Sequence, residues 1–146
     1  MFLVDTNILL YAADRDAEEH ATARERLEDW RHGAETWWAT WSIFYEFLRV
    51  ATHRGVLPTP LTLAQSWEFL EAVMASPSFG LLVHTIRHRE VVGTLAMRYP
   101  GVRGNLAHDF HIAALMYEHG VREIRTADAD FHRFDFLAVV NPLRGE

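Results

Sequence analysis

Hydrophobic positions along this chain follow two rhythms: short apolar runs of three or four residues, and longer stretches in which apolar residues recur every three or four positions. The first rhythm marks buried strands and the second marks amphipathic helices. Phe2, Leu3 and Val4 form an opening strand that stops at Asp5-Thr6-Asn7 and gives way at once to a helical pattern over residues 8–13. Residues 17–32 predict a helix with Ala21, Leu27 and Trp30 on one stripe and charges opposite, ended by Gly33. Residues 35–41, rich in aromatics and Thr, predict a second strand. An apolar helix follows from Ser42 through Ala51, then the rigid connector Leu57-Pro58-Thr59-Pro60, then a helix over residues 61–75. Residues 81–84 read as a third strand and residues 87–98 as a helix. Gly104 and Asn105 introduce a helix over residues 106–119, closed by Gly120, with Asn105 placed to act as N-cap. Residues 122–127 and 137–140 read as the fourth and fifth strands. Strands alternating with helices predict an α/β fold with a mostly parallel sheet and helices on both faces. No repeat, low-complexity tract or linker interrupts the pattern, so a single domain over residues 1–146 is expected.

Composition narrows the chemistry. All 14 basic residues are Arg, and the complete absence of Lys excludes a Walker A loop, a Schiff-base enzyme and a response-regulator receiver. There is no Cys, which removes thiol nucleophiles, thiolate metal sites and disulfides, and no Ser sits in a Gly-x-Ser-x-Gly elbow. The chain lacks a basic, apolar leader or a run long enough for a membrane span, so a cytoplasmic location without membrane contact is expected. The net charge of −6 would speak against a nucleic-acid partner, except that clustered site carboxylates contribute to that sum.

Chemistry must therefore come from Asp, Glu, His, Thr or a metal ion. Asp5 ends the first strand, and Thr6 and Asn7 offer short side chains to cap the next helix and orient its carboxylate. Glu46 interrupts the apolar helix, where a buried acid needs a cation or donors; Arg49, three residues on, is one candidate partner. Asp109 stands in the first turn of its helix, where the dipole alone favours a carboxylate. Asp128 and Asp130 follow the fourth strand in Thr126-Ala127-Asp128-Ala129-Asp130. Each has an ordinary structural reading when taken alone. Four such placements able to converge on one rim point instead to a shared site, and carboxylates without Cys favour a hard ion, Mg²⁺ or Mn²⁺. His84 and His88 resemble half of a helical zinc pair, but no Glu follows His84, and they read as ordinary surface histidines. The cluster Trp37, Trp38, Trp41 and Trp67 reads as core packing or a dimer contact rather than a base-stacking platform.

Asp5-Thr6-Asn7, Glu46 in SIFYEFLRV, Asp109 in GNLAHDFHIAALMYEHGV, and Asp128 and Asp130 in TADADF, in that order and spacing, resemble the PIN-domain ribonucleases. Within these, the similarity is to the VapC-type toxins of toxin–antitoxin pairs. The resemblance spans essentially the whole chain and implies a three-layer α/β/α fold with a five-stranded parallel sheet of order 3-2-1-4-5. It implies Mg²⁺-dependent cleavage of single-stranded or looped RNA, with Mn²⁺ as a substitute ion. Asp5, Glu46, Asp109 and Asp128 would form the acidic quartet, Asp5 and Asp109 binding metal directly and Glu46 and Asp128 completing the shell. Asp130 would be an accessory acid, while Asn7 and Thr126 would fix carboxylate orientation. A VapB-type antitoxin and a homodimer are the implied protein partners. The Trp-rich segment is heavier in aromatics than this family usually shows. Two other readings compete: an HD-type phosphohydrolase built on His108-Asp109, and a PIN-like binding module without catalysis. The first requires an all-helical fold, the second a degenerate acidic site.

Overall fold

The computed structural model describes residues 1–144. Five short strands form one sheet: β1 (Phe2–Val4), β2 (Trp37–Ala39), β3 (Phe79–Leu81), β4 (Glu123–Arg125) and β5 (Ala138–Val140). All four pairings are parallel, and the order across the sheet is β3-β2-β1-β4-β5, so the implied topology is the observed one. Six helices connect them: α1 (Thr6–Ala13), α2 (His20–His32), α3 (Trp41–Ala51), α4 (Leu63–Met74), α5 (His88–Arg98) and α6 (Leu106–His119). Right-handed crossovers fix which face each helix covers. The chain moves from β1 to β2 to β3 in one direction, placing α1–α4 on one face. It then returns past β1 to β4, placing α5 and α6 on the other. No described helix is long and apolar enough to cross a membrane.

The central strand β1 is wholly buried, with Leu3 in register with both Trp38 and Ile124. That burial explains its continuous apolar run, since a parallel strand covered on both faces has no polar side. Ile8, Leu9, Phe44, Phe47, Ile112, Met116 and Phe131 complete the main core, while Val91, Leu95 and Ala114 form a small separate cluster beneath α5 and α6.

Several local expectations change. β3 lies at Phe79–Leu81, earlier than the apolar run over residues 81–84 suggested. Asn105 does not cap α6: its backbone is already helical and its side chain makes no capping bond. The Trp set divides. Trp37 is fully buried, whereas Trp41 and Trp67 are exposed and stack on one another with planes 9° apart.

Candidate active site

The sheet order reverses between β1 and β4, so the chain leaves these neighbouring strands in opposite directions and a crevice opens at their carboxyl ends. Asp5 stands at that point and is 6% exposed. It caps α1 itself, one carboxylate oxygen accepting from the Thr6 backbone N–H at 2.7 Å. The other oxygen accepts from the Thr126 hydroxyl at 2.8 Å and, more weakly, from the Asn7 amide at 3.4 Å. Thr126 is the hub of this network, because its oxygen also accepts from Asn7 Nδ2 and from the Asp128 backbone N–H, each at 3.0 Å. The Asn7 carbonyl accepts from the Ala127 N–H at 3.1 Å, so one amide clamps the β1 and β4 ends together. Burial raises the Asp5 carboxyl above the usual carboxylate range, although the Thr126 and Thr6 bonds oppose the shift.

Carboxylate oxygens of Asp109, Asp128 and Asp130 lie within 4.8 Å of one another. Asp109 projects from the first turn of α6. Asp128 caps a short 3-10 turn (Ala129–Arg133), accepting from the Asp130 N–H at 2.9 Å, which folds the second acid back beside the first. Partial burial, followed by repulsion from Asp5, Asp128 and Asp130, pushes the Asp109 carboxyl up to about 7, with Arg133 opposing. Asp5 therefore belongs to the same electrostatic cluster. An all-oxygen donor set whose members resist ionising together fits a hard divalent cation, which removes the repulsion by neutralising it.

Glu46 is placed differently. Helix α3 buries Ile43, Phe44, Phe47 and Ala51, leaving Glu46 at the margin of that face. Its carboxylate takes two bonds from Arg49, at 2.6 and 3.1 Å, and this pairing holds it below the usual range. Glu46 is not among the acids whose oxygens gather at the end of β4, which are Asp109, Asp128 and Asp130.

Beside Asp128, a cleft of about 610 Å³ runs between the ends of β4 and β5, lined by Arg26, Arg125, His132 and Arg144 among others. Sequence alone does not single out these arginines, because they come from α2, β4 and the segment after β5. A second unanticipated grouping brings His84 and His88 together with His111, where surface histidines were expected.

The model of the PIN domain family matches residues 2–137. This chain belongs to the PIN-domain family. PIN-domain relatives include Ribonuclease VapC37 of Mycobacterium tuberculosis, 34% identical over 92% of this chain and 92% of the relative. Ribonuclease VapC43 of the same species is 33% identical over 100% of this chain and 98% of the relative. Among solved structures, the sarcin-ricin-loop-cleaving toxin VapC20 of M. tuberculosis matches with TM-score 0.67 at 16% identity, covering 97% of this chain and 100% of that one. VapBC2 of Rickettsia felis, bound to a DNA fragment from its promoter, matches with TM-score 0.67 at 16% identity, covering 94% and 96%. At such identities the structural matches establish the PIN fold, and the family assignment rests on the sequence.

Proposed function

We propose that this chain, as a single PIN domain, is a VapC-type endoribonuclease that hydrolyses phosphodiester bonds of single-stranded or looped RNA with Mg²⁺, or Mn²⁺ in its place. The observation that carries this reading is the gathering of Asp109, Asp128 and Asp130 within reach of one ion, beside Asp5 at the sheet's switch point. In this reading Asp5, Asp109 and Asp128 hold the ion, Asp130 assists, and Glu46 contributes from the margin, through water. When bound, the cation supplies a Lewis acid that lowers the pKa of an attacking water and neutralises charge developing on the phosphate. Thr126 and Asn7 keep the Asp5 carboxylate in one orientation, so no reorganisation is needed when substrate arrives. The arginine-lined cleft beside Asp128 would carry the flanking phosphates.

A VapB-type antitoxin belongs to the same reading, supported by relatives that are VapC proteins and by structural neighbours that are VapBC complexes. An antitoxin Arg inserted among the acids would mimic the cation's charge. A homodimer is also part of it, supported by the exposed Trp41–Trp67 stack. An HD-type centre finds no support, since that fold has no parallel sheet.

The test is cleavage of unstructured RNA by purified protein. Activity should require Mg²⁺ or Mn²⁺, vanish with chelator, and fall at least ~100-fold in Asp5→Asn and in Asp109→Asn. Full cleavage by both variants would overturn the site assignment.

A further inference from the structure

A second set of ligating side chains lies at the β3 end of the molecule, apart from the acidic cluster. His84 comes from the segment after β3, His88 is the first residue of α5, and His111 projects from the early part of α6. A ring nitrogen from each lies within 4.8 Å of the others. The Nε2 atoms of His84 and His111 face each other at 2.9 Å, and the His84 and His88 rings stack with centroids 3.9 Å apart. Three imidazoles drawn from three segments form a poor arrangement by themselves. Any two that are protonated repel, and a hydrogen bond between two Nε2 atoms joins only His84 and His111.

An independent feature gives the grouping direction. The Glu118 side chain, wholly buried on α6, binds His88 Nδ1 at 2.6 Å and the Thr85 backbone N–H at 2.5 Å. Held by the Thr85 N–H, the buried carboxylate accepts from His88 at Nδ1, which leaves Nε2 as the nitrogen of that ring free to ligate. A carboxylate behind a histidine in this way is the arrangement that orients and strengthens a metal-ligating imidazole. His111 and Glu118 are seven residues apart, two turns along one face of α6, so a single helix supplies both a ligand and the anion behind another ligand.

We propose that His84, His88 and His111 form a binding site for a divalent transition-metal ion of the Zn²⁺ class, with a fourth position open to water. Imidazole nitrogens suit Zn²⁺, Ni²⁺ or Co²⁺ and disfavour Mg²⁺, so this site and the all-oxygen acidic cluster select different ions. Ligand nitrogens around tetrahedral Zn²⁺ sit about 3.3 Å apart, given Zn–N distances of about 2.0–2.1 Å. Binding an ion requires the His84 ring to turn out of its stack on His88 so that their lone pairs converge, a movement that the exposure of His84 permits. The ion would tie the end of β3 and the start of α5 to α6. Helix α5 is also seated through the small cluster of Val91, Leu95 and Ala114, so the ion would add a second attachment at its start.

The test uses the full chain without a histidine tag, and it does not depend on nuclease activity. Zn²⁺ is titrated against a colorimetric chelator, and Co²⁺ binding is followed by its visible absorption, in wild type and in an Asp109→Asn/Asp128→Asn double variant that disables the acidic cluster. One ion per chain should bind in both proteins, millimolar Mg²⁺ should not compete, and Zn²⁺ should raise the melting temperature by several degrees. His84→Ala and His88→Ala should each weaken binding at least 10-fold. His84 is exposed, so its removal leaves the core packing intact, and circular dichroism verifies the fold of both variants. Affinity unchanged by the two histidine substitutions, affinity lost in the acidic double variant, or failure of wild type to bind would each overturn the proposal.

Discussion

The carboxyl of Asp109 titrates at about 7 because it is partly buried and faces Asp5, Asp128 and Asp130, whereas in the unfolded chain it titrates near 3.9. The native state therefore holds an extra proton between those values. The stabilisation this proton gives is complete below about pH 4 and is lost as pH rises through 7. Without metal, Asp109→Asn should exceed wild type in stability by about 1–3 kcal/mol at pH 8 and by clearly less at pH 5, where only part of the stabilisation has been lost, the range reflecting screening at a half-exposed site. Comparing the two proteins cancels groups whose titration they share. Thermal melts with chelator at both pH values measure the gap, and added Mg²⁺ should close it by binding only folded wild type. Wild type proving the more stable at pH 8 without metal would show that the acids do not repel as placed. Asp5, Asn7, Thr126 and Asp128 were legible in sequence because each lies within three residues of a strand's end, which fixes where those residues stand. Glu46 was less so: an apolar run along a helix says nothing about which side of the buried face each residue takes.

At the level of elements, α6 spans the predicted residues because its end is set by Gly120, which closes the helix in the left-handed conformation (φ +71°) that a side chain would strain. Its start was read from the right residue for the wrong reason, since Asn105 makes no capping bond. The third strand was misplaced because Leu81-Leu82-Val83 continues an apolar run after pairing has stopped. The ladder with β2 ends at Ala39 and Leu81, and Val83 is exposed. Gly80 is the residue that sequence gave no cause to notice. It pairs with Trp38, and a Cβ there would lie 2.6 Å from the indole. Gly80→Val should therefore force Trp38 off its seat and cost about 1–3 kcal/mol by overpacking. Urea unfolding of the variant checks this, and an unchanged midpoint would mean that the indole moves aside freely.

Across the whole molecule, a net charge of −6 conceals two unlike surfaces that meet at Asp128. On one side lie the acids; on the other is the cleft carrying Arg26, Arg125, His132 and Arg144, with Asp29 among them. The basic lining is assembled from distant parts of the chain, so no charge run announces it. Its members also differ in how firmly they are held. Arg125 rests over the Phe2 ring and pairs with Glu123, which makes it part of the packing as much as of the surface. Arg26 is braced by a bond from its Nε to the Pro142 carbonyl, and Arg144 is exposed. If RNA follows this cleft, binding is driven largely by release of counterions from phosphates, and its logarithm falls linearly with that of salt. Binding of an unstructured RNA oligonucleotide to Asp109→Asn protein, with chelator present, should show that slope in fluorescence anisotropy. Adding Arg26→Ala or Arg144→Ala should weaken binding to all sequences alike and flatten the slope by about 0.7 per lost single-strand phosphate contact. If the chain is the proposed nuclease, the same substitutions in otherwise wild-type protein should raise KM and spare kcat, because neither arginine stands among the acids proposed to hold the ion. A slope unmoved by both substitutions would send the RNA along another face of the domain.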